Sequence, residues 1–302
     1  MAKILITGGS GLLGRAISRT LLELGHQPMW LSREAGQSGA ILKFRWDPET
    51  NFIDPAALQG VEYVIHLAGA GIVDKAWSPG YRQEIVNSRV RSSQTLYEAI
   101  TKQGISIKKL VGASAVGYYG SAESEHSYSE DDEAGTDFLA SVCKEWESSY
   151  KVFAQSGIQT AIVRLGIVLG KDGGAYPKLA RMAKLGLGTV LGKGTQYLPW
   201  VHLEDAAAIF VKLLFDETLS GTYNAVSSEC QSNREFTHQL ATSFKRKVLL
   251  PRIPAWVLRL VLGERAISLT HGLKINNGKL ISSGYHFKFD NLPTCLADLA
   301  QN

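Results

Sequence analysis

Gly8, Gly11 and Gly14 close a short apolar run, Ile4 to Thr7, and open a helical pattern. That spacing could hold the pyrophosphate of a dinucleotide. The first glycine makes the tight turn, the second lets backbone approach the phosphates, and the third lets the helix pack closely on the strand. Free N–H groups and the dipole at the helix start would then hold the anion. Ser10, Leu12 and Leu13 lie in the same turn and count with the glycines as candidate cofactor-binding residues. A glycine turn with no ligand is the plain alternative, and the strand-to-helix context argues against it.

The second apolar run ends Trp30-Leu31-Ser32-Arg33, with Arg33 25 residues beyond Gly8. In a dinucleotide fold this end meets the adenine ribose. An acidic residue there would bind the 2′-hydroxyl and favour NAD, whereas arginine pairs with a 2′-phosphate and favours NADP(H). Arg33 as a solvated loop residue is the alternative.

Other residues of chemical interest sit after the later apolar runs. His66-Leu67-Ala68-Gly69-Ala70 places small residues where backbone could pass a ligand, or where a turn simply needs glycine. Glu84 and Arg89 fall on a long helical pattern. Arg89 could reach a ribose, a phosphate or an acidic substrate group, or be an exposed helix arginine. Ser114 ends a run where its hydroxyl could bond a reacting carbonyl or alcohol. Tyr118 and Tyr119 follow, and a phenol can act as general acid if a cation such as Lys144 lowers its pKa. Serines and tyrosines after a strand are also ordinary loop residues. Trp200 and His202 could line a substrate pocket, or His202 could be a buried structural histidine; Asp205 or its neighbours would cap the next helix.

These residues need elements to hold them. Apolar runs at Ile4–Thr7, Gln27–Ser32, Ala40–Phe44, Val61–Leu67, Lys109–Ser114 and Thr160–Leu165 read as strands. Helical patterns at Leu13–Leu24, Arg82–Lys102 and Phe138–Ser156 lie between them. The alternation predicts an α/β fold, a Rossmann-type doubly wound parallel sheet, with ligands at the C-terminal strand ends. After about Gly170 the pattern loosens. A glycine-rich stretch precedes a helix near Leu203–Phe215, a strand near Thr222–Val226, a helix at Asn233–Phe244 and another beginning at Pro254. This predicts a cofactor domain over 1–170, with 195–225 returning to it, and a smaller α/β C-terminal substrate lobe over 171–302. A small helical domain at about 247–302 belongs to that lobe.

The chain has 302 residues and a net charge of +4, with its charges scattered, so a nucleic-acid partner is not expected. Cys143, Cys230 and Cys295 are far apart, which argues against a disulfide framework or metal site and for a reducing, cytoplasmic compartment. A strand within three residues of Met1 leaves no room for a leader. No apolar run approaches the length of a membrane span. The apolar stretch Ile253 to Gly263 could lie on a membrane, but it lacks a strongly basic face, and a helix packed on the core is the favoured reading.

Together these segments resemble the short-chain dehydrogenase/reductase superfamily, of the extended, sugar-nucleotide-epimerase-like kind. Trp46-Asp47-Pro48, Leu67-Ala68-Gly69, Ser88-Arg89, Ser114 to Gly120, Phe138-Leu139-Ala140, Trp146-Glu147, Arg164, Gly173-Gly174, Trp200-Val201-His202 and Gly263-Glu264 fall in the order of its atypical YfcH-like epimerase family protein subgroup. The resemblance covers essentially the whole chain. It implies NADP(H) as cofactor, with Gly8, Gly11 and Gly14 at the pyrophosphate, and Ser32 and Arg33 at the 2′-phosphate. Leu67, Ala68 and Gly69 would lie along the cofactor, Glu84 and Arg89 on a helix facing it, and Ala113 and Ser114 near the nicotinamide.

One departure stands out. The superfamily's catalytic pair is a tyrosine four residues before a lysine, and four before Lys144 stands Ala140. Losing a general acid costs on the order of 10²–10⁴ in rate. Either Tyr118 or Tyr119 replaces it, with Ser114 as substrate-oxygen donor and Lys144 as ribose anchor, or the protein binds NADPH without ordinary carbonyl reduction. The first alternative predicts an oxidoreductase or epimerase-like enzyme on a small carbonyl or alcohol; the second, a sensor or regulatory protein. Monomer and homodimer are both open.

Overall fold

The computed structural model describes residues 1–121 and 125–301. The apolar runs, with the exposed polar edge strand Gly36–Ser38, form one twisted sheet: β1 (Lys3–Thr7), β2 (Gln27–Ser32), β3 (Gly36–Ser38), β4 (Ile41–Asp47), β5 (Tyr63–His66), β6 (Lys109–Ala115), β7 (Gln159–Leu165) and β8 (Gly221–Ala225). Their order is β8-β7-β6-β5-β1-β2-β4-β3, parallel throughout except for β3, and a two-residue strand, Phe52–Ile53, pairs antiparallel with β4. The runs are apolar on consecutive positions because helices cover both faces. Ile4, Leu5 and Ile6 are all fully buried.

The helices of this part are α1 (Leu12–Glu23), α2 (Pro79–Lys102) and α3 (Phe138–Ser149). Ser78 caps α2 through the Tyr81 N–H, with Pro79 at its first turn, and Asp137 caps α3 through the Ala140 N–H. The single helix expected over Phe138–Ser156 is divided at Tyr150, and a short helix, Lys151–Gln155, follows. The Tyr150 ring runs under β6 and its phenol donates to the Ala113 carbonyl at 3.0 Å. Gly112 leaves the space, since a Cβ there would lie 2.5 Å from Tyr150 Cζ.

Beyond Gly170 the chain holds more order than its glycines suggest. It forms α4 (Tyr176–Lys184), α5 (Leu203–Phe215), α6 (Asn233–Ser243), α7 (Ala255–Leu262) and α8 (Leu292–Ala300). α5 packs beside α1 and against β6 and β7, while α4, α6 and α8 enclose a second core around Leu169, Trp200, Phe236 and Leu296. Asp205 does not cap α5; His202 does, accepting the Glu204 N–H. The Asp205 carboxylate instead takes the Lys288 and Phe289 N–H groups and the Tyr285 hydroxyl, tying the C-terminal segment to α5.

The expectation that the apolar stretch Ile253 to Gly263 packs on the core is corrected here. Of the eight residues of α7, Leu258 alone is buried, and Trp256, Leu260 and Val261 face outward.

Candidate active site

The turn after β1 is shaped by backbone crowding. Gly8 has φ +67°, a left-handed conformation that a side chain strains. A Cβ on Gly14 would sit 2.5 Å from the Gly8 carbonyl oxygen and 2.6 Å from Gly9 Cα. Gly9, not singled out in the sequence, is equally confined, because the Trp30 ring at the end of β2 lies 2.2 Å from where its Cβ would be. No side chain caps α1 at Gly11, so its first N–H groups point outward at the C-terminal end of β1. Ser10 and Gly11 are exposed and Leu12 and Leu13 half-buried; Leu12 packs on Gly173 and Gly174, which brings the glycine-rich stretch of the second lobe over the turn. These features fit a pyrophosphate cradle. Ser32 ends β2 and Arg33 follows it; Arg33 is exposed and the Ser32 hydroxyl accepts the Glu34 N–H.

A buried polar chain fixes the next strand end. Thr7 Oγ1 accepts the N–H groups of Leu67 and Ala68 at 3.0 and 3.1 Å, so its own proton goes to His66 Nδ1 at 2.8 Å. His66 Nε2 then donates to Ser92 Oγ at 3.1 Å, and Ser92 donates onward to the Arg89 carbonyl. Burial pushes the His66 imidazole down to about 3, so it is neutral and of one tautomer. Leu67 and Ala68 are thereby held half-open along the sheet's ligand edge. Gly69, exposed, lies against the Arg89 guanidinium, which would be 3.0 Å from a Cβ there. Arg89 is buried; it stacks on Trp146 at 4.6 Å and donates to the carbonyls of Ala70 and Ile85. Glu84, by contrast, points to solvent and pairs with Lys75 at 3.5 Å.

The residues expected to do chemistry are only partly brought together. Ala113 and Ser114 end β6, both buried. Ser114 Oγ donates to Glu147 Oε1 at 2.7 Å, and Arg164 holds the same carboxylate through two bonds of 2.8 and 2.9 Å. Burial draws the Arg164 guanidinium down, but the Glu147 carboxylate outweighs it and raises the pKa. Tyr119 is buried, donates to Asn224 at 2.8 Å and accepts from Arg164 at 2.9 Å. Burial pushes its phenol up to about 12, so Tyr119 is closed into the interior rather than offered as an acid. Tyr118 is half-buried, its ring 3.4 Å from the Arg164 guanidinium carbon.

Lys144 is exposed on α3, while Cys143, one residue earlier, is the side chain that meets Ser114. A Cβ on Gly117 would lie 3.6 Å from Leu139 Cβ and 3.9 Å from Cys143 Sγ. Leu139 and Cys143, one turn apart on α3, therefore face the turn at Gly117 that follows β6. Burial pushes the Cys143 thiol up to about 11.

Trp200 and His202 are both buried and do not border the cleft beside Leu139. Trp200 is fully buried with its indole N–H on Gln231 at 2.7 Å, and His202 caps α5 with its ring 4.0 Å from Phe289. The cleft beside Leu139 is bounded instead by Trp77, Arg82, Phe138, Arg259 and Ile267, and encloses about 580 Å³. Arg82 lies over both aromatic rings and pairs with Glu264, joining α2 to the turn after α7. The sequence alone gave Cys143, Glu147 and Arg164 no role. The signal for Glu147 and Arg164 was the family motif Trp146-Glu147 and Arg164, which names residues without saying what they touch; Cys143 lay in no motif.

Comparison with known proteins places this geometry in context. A family model described as "NAD dependent epimerase/dehydratase family" matches residues 4–225, and one described as "Domain of unknown function (DUF1731)" matches 253–299. The chain is 33% identical over 299 residues to the epimerase family protein Mb2239 of Mycobacterium bovis, covering 98% of this chain and 96% of that one. It is 30% identical over 301 residues to the human epimerase family protein SDR39U1, covering 98% and 99%. The crystal structure of human SDR39U1 (isoform 2) with NADPH superposes with a TM-score of 0.90 at 29% identity, over 99% of both chains.

Proposed function

The chain belongs to the NAD dependent epimerase/dehydratase family, and we propose on that premise that it binds NADP(H) at the sheet edge and uses it on a small carbonyl or alcohol substrate. The observation that carries this reading is the cradle at Gly8, Gly9 and Gly14, where backbone and the Trp30 ring leave no room for a Cβ and an uncapped helix start faces outward. The likeness to human SDR39U1, crystallised with NADPH, supports the choice of cofactor.

In this reading the α1 N–H groups, with Ser10, Leu12 and Leu13 around them, hold the pyrophosphate. Ser32 and Arg33 take the 2′-phosphate, and Leu67, Ala68 and Gly69 line the cofactor's course with the Arg89 cation beneath them. NADP(H) supplies the hydride when bound. Residues 1–170, with 195–225, carry the cofactor, and the rest of 171–302 shapes the substrate side, where Trp77, Phe138 and Leu139 exclude water. Tyr118 is the phenol left with an accessible edge for a proton.

A second reading, an NADPH-binding sensor, is favoured by one observation: the Ser114 and Tyr119 hydroxyls both donate inward, to Glu147 and Asn224. NADPH oxidation with a panel of small aldehydes and ketones separates the two. Turnover that falls tenfold or more in Tyr118→Phe supports the enzyme reading. Tight NADPH binding with no oxidation by any member of the panel supports the sensor.

A further inference from the structure

We propose that the segment 245–261 is a docking surface for an anionic lipid bilayer. Between Glu235 and Glu264 the chain has no acidic residue, while it carries Lys245, Arg246, Lys247, Arg252 and Arg259, all exposed. The apolar residues interleaved with them are exposed too: Leu249 at 80%, Trp256 at 69%, Leu260 at 80% and Val261 at 72%. Trp256 and Leu260 are one helical turn apart and share a face of α7, with Arg259 beside them. The helix is anchored from the opposite side by Leu258.

The surroundings extend the patch. Arg246 Nε donates to the Lys184 carbonyl, Thr189 Oγ1 donates to the Pro251 carbonyl, and Ile253 exchanges backbone hydrogen bonds with Val190 and Gly192. This seats the segment against the end of α4, where Arg181 and Lys184 are exposed together with Leu185.

Charge decides the occupant. A second copy would bring the same unbalanced cations face to face, which opposes association. A bilayer with anionic headgroups complements them, and the projecting Trp256, Leu260 and Leu249 match the interfacial depth of a short surface helix. Eight residues of helix are far too few to span a membrane, and among the described residues no helix is long and apolar enough to do so. Because α7 runs into the turn that lines the cleft at Gly263 and Glu264, the surface would lie beside the substrate entrance.

Flotation of the full-length protein with phosphatidylcholine vesicles, with and without phosphatidylglycerol, tests this. Binding is expected only to the anionic vesicles, weakening as salt rises. Lys247→Gln with Arg252→Gln should weaken it about fivefold per cation. Trp256→Ser with Leu260→Ser, both on an exposed face, should weaken it tenfold or more, with NADPH binding and melting temperature unchanged. Absence of vesicle binding, or equal binding to neutral vesicles, overturns the proposal. So does a concentration-dependent dimer in analytical ultracentrifugation that Trp256→Ser with Leu260→Ser abolishes.

Discussion

Ser114 donates its hydroxyl proton to Glu147 at 2.7 Å, and this turns a residue at a reactive strand end into part of the packing. Glu147 needs that bond. Its carboxylate is nearly buried and is otherwise balanced by Arg164 alone, which in turn supports the Tyr119 phenol. The four side chains form one closed unit behind the end of β6. Within it the Ser114 hydroxyl donates to Glu147 and the Tyr119 hydroxyl to Asn224.

Removing the cation should therefore be costly. Arg164→Met leaves a buried carboxylate unpaired and should destabilise the fold by about 3–5 kcal/mol. Adding Glu147→Leu to that variant should restore much of the loss. Urea denaturation of the two variants checks the sign of the second step.

Ser114→Ala should cost stability rather than cofactor binding. The hydroxyl's donated bond to the Glu147 carboxylate contributes about 1.5–3 kcal/mol, and NADPH affinity should not change. Thermal melts and a fluorescence titration measure the two separately. A hundredfold fall in turnover at unchanged stability would instead give Ser114 a role on substrate.

Gly14→Ala should weaken NADPH binding tenfold or more. Its Cβ meets backbone atoms of Gly8 and Gly9 within 2.6 Å, and neither can rotate away as a side chain would. The overpacking should also cost about 1–3 kcal/mol of stability. Calorimetric titration and unfolding of the same variant test both effects.

The neutral His66 makes stability depend on pH. Its folded pKa, about 3, lies below the unfolded value of 6.5. Between those values the unfolded chain binds the extra proton, so stability rises with pH there. The contribution is complete above about pH 6.5 and is lost as pH falls toward 3, at up to ~1.4 kcal/mol per unit. His66→Gln should flatten the slope of unfolding free energy against pH across that window. An unchanged slope would assign it to other groups.

The sheet and its ligand edge were legible because each strand is a continuous apolar run and the glycine turn follows the first of them. α4 was not, because Gly173-Gly174 and the short spacing before it mask a helix stabilised by packing on Leu169 and Trp200, and α8 was expected only within a small helical domain at about 247–302. At α3 the count back from Lys144 to Ala140 was legible, but not that Leu139 and Cys143 pack against the turn at Gly117, since that depends on helix rotation. Trp200 and His202 read as pocket residues by type, yet the hydrogen bond to Gln231 and the cap on α5 depend on partners 31 and 2 residues away, which spacing alone does not reveal. Arg89 presented the reverse case, an arginine of ordinary helical appearance that the fold buries against Trp146.

The most direct test of the account is titration of the protein with NADPH, NADP⁺, NADH and NAD⁺ beside an Arg33→Ala variant. The account predicts preference for the two phosphorylated dinucleotides, reduced about tenfold or more in Arg33→Ala, as expected for loss of a charge-assisted hydrogen bond. Equal affinity for all four, or binding of none, would contradict it.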